Sequence, residues 1–137
     1  MLKATITIKI NQYRPLGSVF PISAAMTMPK TPGISFDGES IIIHEKGPAE
    51  LTFKIPNKKF LLLGVAFAAN MRRRSGTNLG QGEFPTVTIN RSSKKGSSLT
   101  VLDENKSTLP FDYVLMVQST ADGSIGVIDP FIRYEPK

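Results

Sequence analysis

The sequence predicts an all-β protein, an antiparallel two-sheet β-sandwich of immunoglobulin-like layout with about nine strands. Three observations carry this expectation. Apolar and polar residues alternate with period two in several short segments, turn chemistry built on Gly, Pro, Asn and Asp separates them, and no helical period of adequate length occurs anywhere. A closed barrel meets the same pattern, because strand order leaves no trace in local alternation.

Thr5, Thr7 and Lys9 alternate with Ile6, Ile8 and Ile10, which predicts a first strand with one face buried and one wet. Pro15, Gly17 and Pro21 punctuate the chain before Ser23–Met28, a weaker second strand. Lys30-Thr31-Pro32-Gly33 reads as a turn. Asp37-Gly38, between Ile34-Ser35-Phe36 and Ile41-Ile42-Ile43, is a tight-hairpin signal, since both residues tolerate positive φ. After Gly47-Pro48, the alternation of Leu51, Phe53 and Ile55 gives another half-buried strand. Phe60–Phe67 is apolar on both faces, the pattern of a central strand covered on both sides.

From Asn70 to Glu83 the chain is rich in Arg, Gly, Ser and Asn, the longest candidate loop. Thr86–Ile89 and Leu99–Leu102 flank Ser92-Ser93-Lys94-Lys95-Gly96, a second hairpin signature, and Asp103–Ser107 supplies a polar turn. Tyr113–Val117 is apolar on both faces and belongs in the middle of a sheet. Asp122-Gly123 turns the chain into Ile125–Ile128, and Phe131, Ile132 and Tyr134 close it.

The 137 residues suit one domain spanning 1–137 and suffice for a proper core. With 40% hydrophobic and 20% charged residues, the composition is that of a folded chain rather than a disordered tail. The most apolar run, Phe60–Ala69, is too short to span a bilayer and is interrupted by Gly64, so no membrane partner is expected. The alternating start differs from a secretory signal, which points to a cytoplasmic location. The absence of cysteine removes disulfides, thiolate nucleophiles and thiolate-bound metals.

The net charge of +6 is regional. Between Lys58 and Lys95, eight Lys and Arg face Glu83 alone, so the remainder of the chain carries one net negative charge. Arg72, Arg73 and Arg74, with Arg91, Lys94 and Lys95, form a polyanion- or nucleic-acid-binding face if adjacent loops bring them to one end of the sandwich. The bland alternative is a solvated basic loop. The window's aromatics, Phe60, Phe67 and Phe84, look like core or anchor residues rather than platforms for base stacking.

The final segment, Ile128-Asp129-Pro130-Phe131-Ile132-Arg133-Tyr134-Glu135-Pro136, carries an Asp-Pro and a Glu-Pro pair on the last predicted strand. In Asp129, Pro130, Glu135 and Pro136 it resembles the DP-EP family of small bacterial proteins. The Tyr113–Pro136 hairpin is also similar to the closing hairpin of PixA/AidA-like inclusion-body proteins. Both resemblances imply a β-sandwich and bring no reaction and no catalytic residue. Pro130 lacks an N–H and must sit on an edge, at a bulge or where pairing begins. Asp129 then serves as a local backbone cap, and Glu135 as a solvated carboxylate.

Chemistry finds little purchase. His44 is the only histidine, which excludes a multi-histidine metal site, and it follows Ile41-Ile42-Ile43 without nucleophile-elbow glycines. The acidic residues sit beside turn glycines or lysines, and no spacing pairs two of them across a cleft. Asp103-Glu104-Asn105 lacks the alternating ligands of a calcium loop. Gly76, Gly80 and Gly82 lack the Gly-Lys-Ser/Thr ending of a nucleotide-binding loop. No cofactor or metal is expected. The expected function is a non-enzymatic structural or protein-interaction module, self-associating through a sheet face or edge or binding another protein. Polyanion binding through the basic loop is the alternative, and a small hydrolase using His44 comes third.

Overall fold

The computed structural model describes residues 1–12, 19–38, 40–69, 86–92, 96–105, 111–128 and 131–134. Every regular element among them is a strand: β1 (Leu2–Gln12), β2 (Val19–Pro21), β3 (Ser23–Thr27), β4 (Ile34–Phe36), β5 (Ser40–Ile43), β6 (Ala49–Ile55), β7 (Phe60–Ala69), β8 (Thr86–Ser92), β9 (Gly96–Asp103), β10 (Phe111–Ser119), β11 (Ile125–Ile128) and β12 (Phe131–Tyr134). Five form one sheet in the order β3-β1-β6-β9-β8, and seven form a second.

In the second sheet β7 runs along the whole of β10, from Phe111↔Ala69 to Ser119↔Phe60. The other side of β10 is shared, with β11 along residues 115–118 and β12 along residues 111–112. Both ladders keep one register, Leu115↔Ile128 and Asp112↔Phe131, so no residue is inserted between β11 and β12. The two intervening residues, Asp129 and Pro130, lie outside the described residues, as do Glu135 and Pro136. Beyond this composite strand, β2 lies parallel to β11 and β5 parallel to β12, with β4 antiparallel at the margin.

Three expectations are corrected here. The sheets are mixed rather than purely antiparallel, because β1·β6, β11·β2 and β12·β5 are parallel. Alternation is the same in both pairings, so it reports which face is buried and not the direction of the neighbour. The described strands number twelve rather than about nine: β2 is only three residues long between breakers, and the closing strand is divided in two. Finally, β7 is not central. Among the described residues it pairs with β10 alone, and of residues 60–66 only Leu62 is fully buried. It runs beside β9, where the Leu62 N–H donates to Ser97 Oγ at 2.7 Å. Its two apolar faces reflect a strand lodged at the seam between the sheets.

The inward faces of both sheets meet in one buried cluster. Ala4, Ile6, Ile8, Leu51, Phe53, Ile55, Leu99 and Val101 come from the first sheet, and Ile41, Ile43, Leu62, Tyr113, Leu115 and Val117 from the second. Phe53 and Tyr113 touch across it, with ring centroids 5.3 Å apart at 45°. The expected hairpins are present. Asp37 N–H donates to Ser40 O at 3.2 Å, and the Asp37 carboxylate accepts from Ser40 N at 2.6 Å. Of the Asp37-Gly38 pair only Gly38 has positive φ, +102°. At the Asp122-Gly123 turn, Ser124 Oγ and N both donate to Asp122 Oδ1, which holds that carboxyl below its usual range.

Asp103 and Asn105 are buried, and together they clamp neighbouring backbone. Asn105 takes a left-handed φ of 56°, its N–H donates to Asp103 Oδ1, and its side-chain amide donates to the carbonyls of Glu45 and Gly47 at 2.7 and 2.9 Å. Asn105→Ala is expected to lose about 2 kcal/mol in urea unfolding, through two orphaned carbonyls and because Ala, unlike Asn, lacks the local side-chain bonding that makes the left-handed region tolerable. Asn105→Gly removes the strain but not the orphans, so its loss should be smaller. Equal losses would refute that division.

Candidate functional site

His44 follows β5 on the exposed side of the β4–β5 hairpin. Its backbone N–H donates to Gly33 O at 2.8 Å, and its ring Nε2 lies 2.7 Å from Ser35 Oγ. Ser35 pairs with Ile42 in the ladder, so Ser35 and His44 are diagonal neighbours on one face. Sequence reasoning missed Ser35 as the partner, although the hairpin register set by Asp37-Gly38 contains it. A serine–imidazole contact is the first requirement of nucleophilic catalysis. The remaining ones are a third group orienting the ring, oxyanion donors and exclusion of water, and this pair is exposed to solvent.

A depression of about 460 Å³ lies elsewhere, lined by Thr7, Lys9, Ala25, Thr27, Pro56 and Asn57 among others, with no histidine in its wall. Among the described residues no group of three His, Cys, Asp or Glu gathers as a metal site. His44→Ala is expected to change stability by no more than about 0.5 kcal/mol, as for other exposed substitutions. A loss above about 2 kcal/mol would assign the pair a structural weight that its exposure denies it.

Of the basic residues singled out by sequence, Arg72, Arg73, Arg74, Lys94 and Lys95 lie outside the described residues. Arg91 has its backbone in β8 opposite Ser97. The described residues bring the Lys58-Lys59 turn, both lysines exposed, against the start of β9. A Cβ on Gly96 would strike Ile55 O and stand 2.8 Å from Asn57 N. Asn57 shapes this turn through Lys59 N→Oδ1 (3.0 Å) and Phe60 N→O (3.1 Å). Thr120 docks on it by donating from N to Lys59 O at 2.9 Å. That contact also carries the Asp122 hairpin, with its ionised carboxylate, to the same end of the molecule.

Among the described side chains, those of β8 are the most exposed of any strand. Thr86, Val87, Thr88, Ile89 and Asn90 are all exposed, although the strand is in full register with β9. Val87 and Ile89 pair with Val101 and Leu99, both fully buried, and therefore stand on the core-facing side while remaining 42% and 36% exposed. On the opposite face Thr5, Thr52, Thr100 and Thr88 fall in one row across β1, β6, β9 and β8. The Thr52 and Thr100 hydroxyls are 3.0 Å apart. Among the described residues no helix is long and apolar enough to cross a membrane.

No protein-family model and no curated protein matches the chain. Among solved structures it is similar to the crystal structure of an inclusion body protein, PixA, from Burkholderia cenocepacia J2315. The match has a TM-score of 0.56 at 12% identity and covers 97% of this chain and 95% of that one. At that identity the likeness is one of fold.

Proposed function

We propose that this chain is a non-enzymatic structural module, an immunoglobulin-like β-sandwich that associates with copies of itself through a sheet edge. One observation carries the reading: among the described residues β8 is a regular edge strand exposed on both faces, with two apolar side chains on its core-facing side. Such edges pair readily with other strands unless they are blunted. The description of the structural neighbour as an inclusion body protein accords with an assembling role. Kinship with the DP-EP family rests on the Asp129-Pro130 and Glu135-Pro136 pairs alone. Sedimentation velocity from about 1 µM to about 1 mM, a range that brackets weak association, should show the mass rising from 15.0 kDa. A monomer throughout would remove the reading.

A second reading, polyanion binding, is favoured by the exposed Lys58-Lys59 turn, which abuts Gly96 at the start of β9. Its test is binding to mixed-sequence DNA, RNA and heparin across salt, with the triple Arg72→Ser, Arg73→Ser, Arg74→Ser variant alongside. Affinity should fall steeply with salt and drop in the variant. No binding at low salt would eliminate it.

A further inference from the structure

We infer that the β8 edge pairs with the β8 edge of a second copy, antiparallel about a two-fold axis at Thr88, joining two five-stranded sheets into one of ten strands. The inference rests on the self-association reading and specifies its surface and register.

The choice of edge follows from how the others are blunted. The ladder of β3 with β1 is bulged between Ile10 and Gln12, and that of β7 with β10 between Met116 and Val117. β2 and β4 are three residues each. Bulges and short length are the devices by which edge strands resist pairing. β8 has neither: its seven residues keep an unbroken register from Thr86↔Leu102 to Ser92↔Gly96. Residues 86–90, Thr-Val-Thr-Ile-Asn, carry no charge and are rich in β-branched side chains.

The choice of a second copy follows from the pattern of that segment. It is palindromic in polarity about Thr88, so a two-fold there sets Val87 of one copy opposite Ile89 of the other, twice, and Thr86 opposite Asn90. The two apolar pairs lie on the core-facing side, where both residues remain partly exposed. On the other face the row Thr5, Thr52, Thr100, Thr88 continues through Thr88 into the same row of the second copy, repeating the threonine pairing already made by Thr52 and Thr100. The register also separates the two Arg91 Cα positions by about 20 Å, six residues at strand rise, well beyond the Debye length of about 8 Å. A two-fold at Ile89 would instead oppose Val87 to Arg91, and one at Asn90 would oppose Ile89 to Arg91. Within Thr86–Ser92, the Thr88 axis alone sets both apolar residues opposite apolar residues of the strand.

The chain's lack of cysteine makes the register directly readable. Thr88→Cys should form a disulfide-linked dimer under mild oxidation, because each Cα faces its own symmetry mate within the span a disulfide bridges. Ala25→Cys, exposed on the β3 edge, should cross-link no faster than random collision. Thr86→Cys mixed with Asn90→Cys should yield the mixed dimer in preference to either homodimer. The double variant Val87→Lys, Ile89→Lys sets like charges opposite each other and should weaken association at least ~100-fold by sedimentation, with circular dichroism reporting the retained fold. If wild type assembles but the lysine variant assembles equally, or Ala25→Cys links as fast as Thr88→Cys, the β8 pairing is wrong and self-association survives. A wild type that stays monomeric at every concentration overturns both. Should the lysine variant fail to fold, the three cysteine positions on β8, with Ala25→Cys as the control, still decide the register.

Discussion

Phe53→Ala is expected to lower the unfolding free energy by about 3–5 kcal/mol, the cost typical of emptying a buried aromatic site. Phe53 is fully buried on β6, the middle strand of its sheet, between Ile6 on β1 and Leu99 on β9. Its ring meets Tyr113 of the other sheet. Strands on both flanks prevent the backbone from collapsing into the space, so the variant should retain most of the cavity. For a chain of this length the melting temperature should fall on the order of 10–20 °C. Phe53→Leu, which keeps most of the volume, should cost under about 1.5 kcal/mol. Similar losses for both variants would mean that volume at this site matters little.

The same contact has an alkaline signature. Burial pushes the Tyr113 hydroxyl well above its ordinary range. A group whose folded pKa is raised contributes stability that is present below its unfolded value, near 10, and is lost as pH rises toward the folded one. Wild-type stability should therefore decline above about pH 10, and a spectrophotometric titration should show one tyrosine ionising only with unfolding. Phe53→Ala, by loosening the packing around the ring, should lower that tyrosine's pKa toward its ordinary range.

Gly96→Ala is expected to cost about 3 kcal/mol or more, combining a left-handed conformation with a collision. Gly96 has φ +90° at the start of β9, and an added Cβ would run into the carbonyl oxygen of Ile55 and the amide of Asn57. Both obstacles are backbone, so neither can rotate away. Gly38 separates the two contributions: its φ is +102° but nothing lies within 4 Å of an added Cβ. Gly38→Ala should cost about 1 kcal/mol, the conformational part alone. Equal losses by chemical denaturation at the two sites would place the whole effect in φ and refute the collision.

Much of the strand inventory was legible because period-two alternation and turn residues act locally. Ile6, Ile8, Leu51, Phe53 and Ile55 are buried where their alternation places them, and Asp37-Gly38 and Asp122-Gly123 turn the chain between paired strands. Neighbours were not legible. Alternation cannot reveal that β1 lies parallel to β6, or that an apolar stretch such as β7 sits at a seam instead of in a sheet's interior. Val87 and Ile89 show the same limit at a surface. Their alternation in Thr-Val-Thr-Ile marks one face as core-facing, but whether anything covers that face depends on the tertiary fold. Ser35 needed the hairpin register before it could be set beside His44. Arg72, Arg73, Arg74, Lys94 and Lys95 lie outside the described residues, and the exposed basic pair that the described residues position is Lys58-Lys59.

The composite closing strand governs the order in which the molecule can be built. β2 and β5 arise early in the chain, yet each finds its parallel neighbour only in β11 or β12, more than eighty residues later. Pairings of such sequence separation require large loop closures before they return any stability, which slows folding. On a ribosome, β1, β3, β6, β8 and β9 can assemble while the second sheet still waits for its last strands. The five-stranded sheet is thus the natural early scaffold, and β8 spends that interval as an open edge beside an unfinished fold.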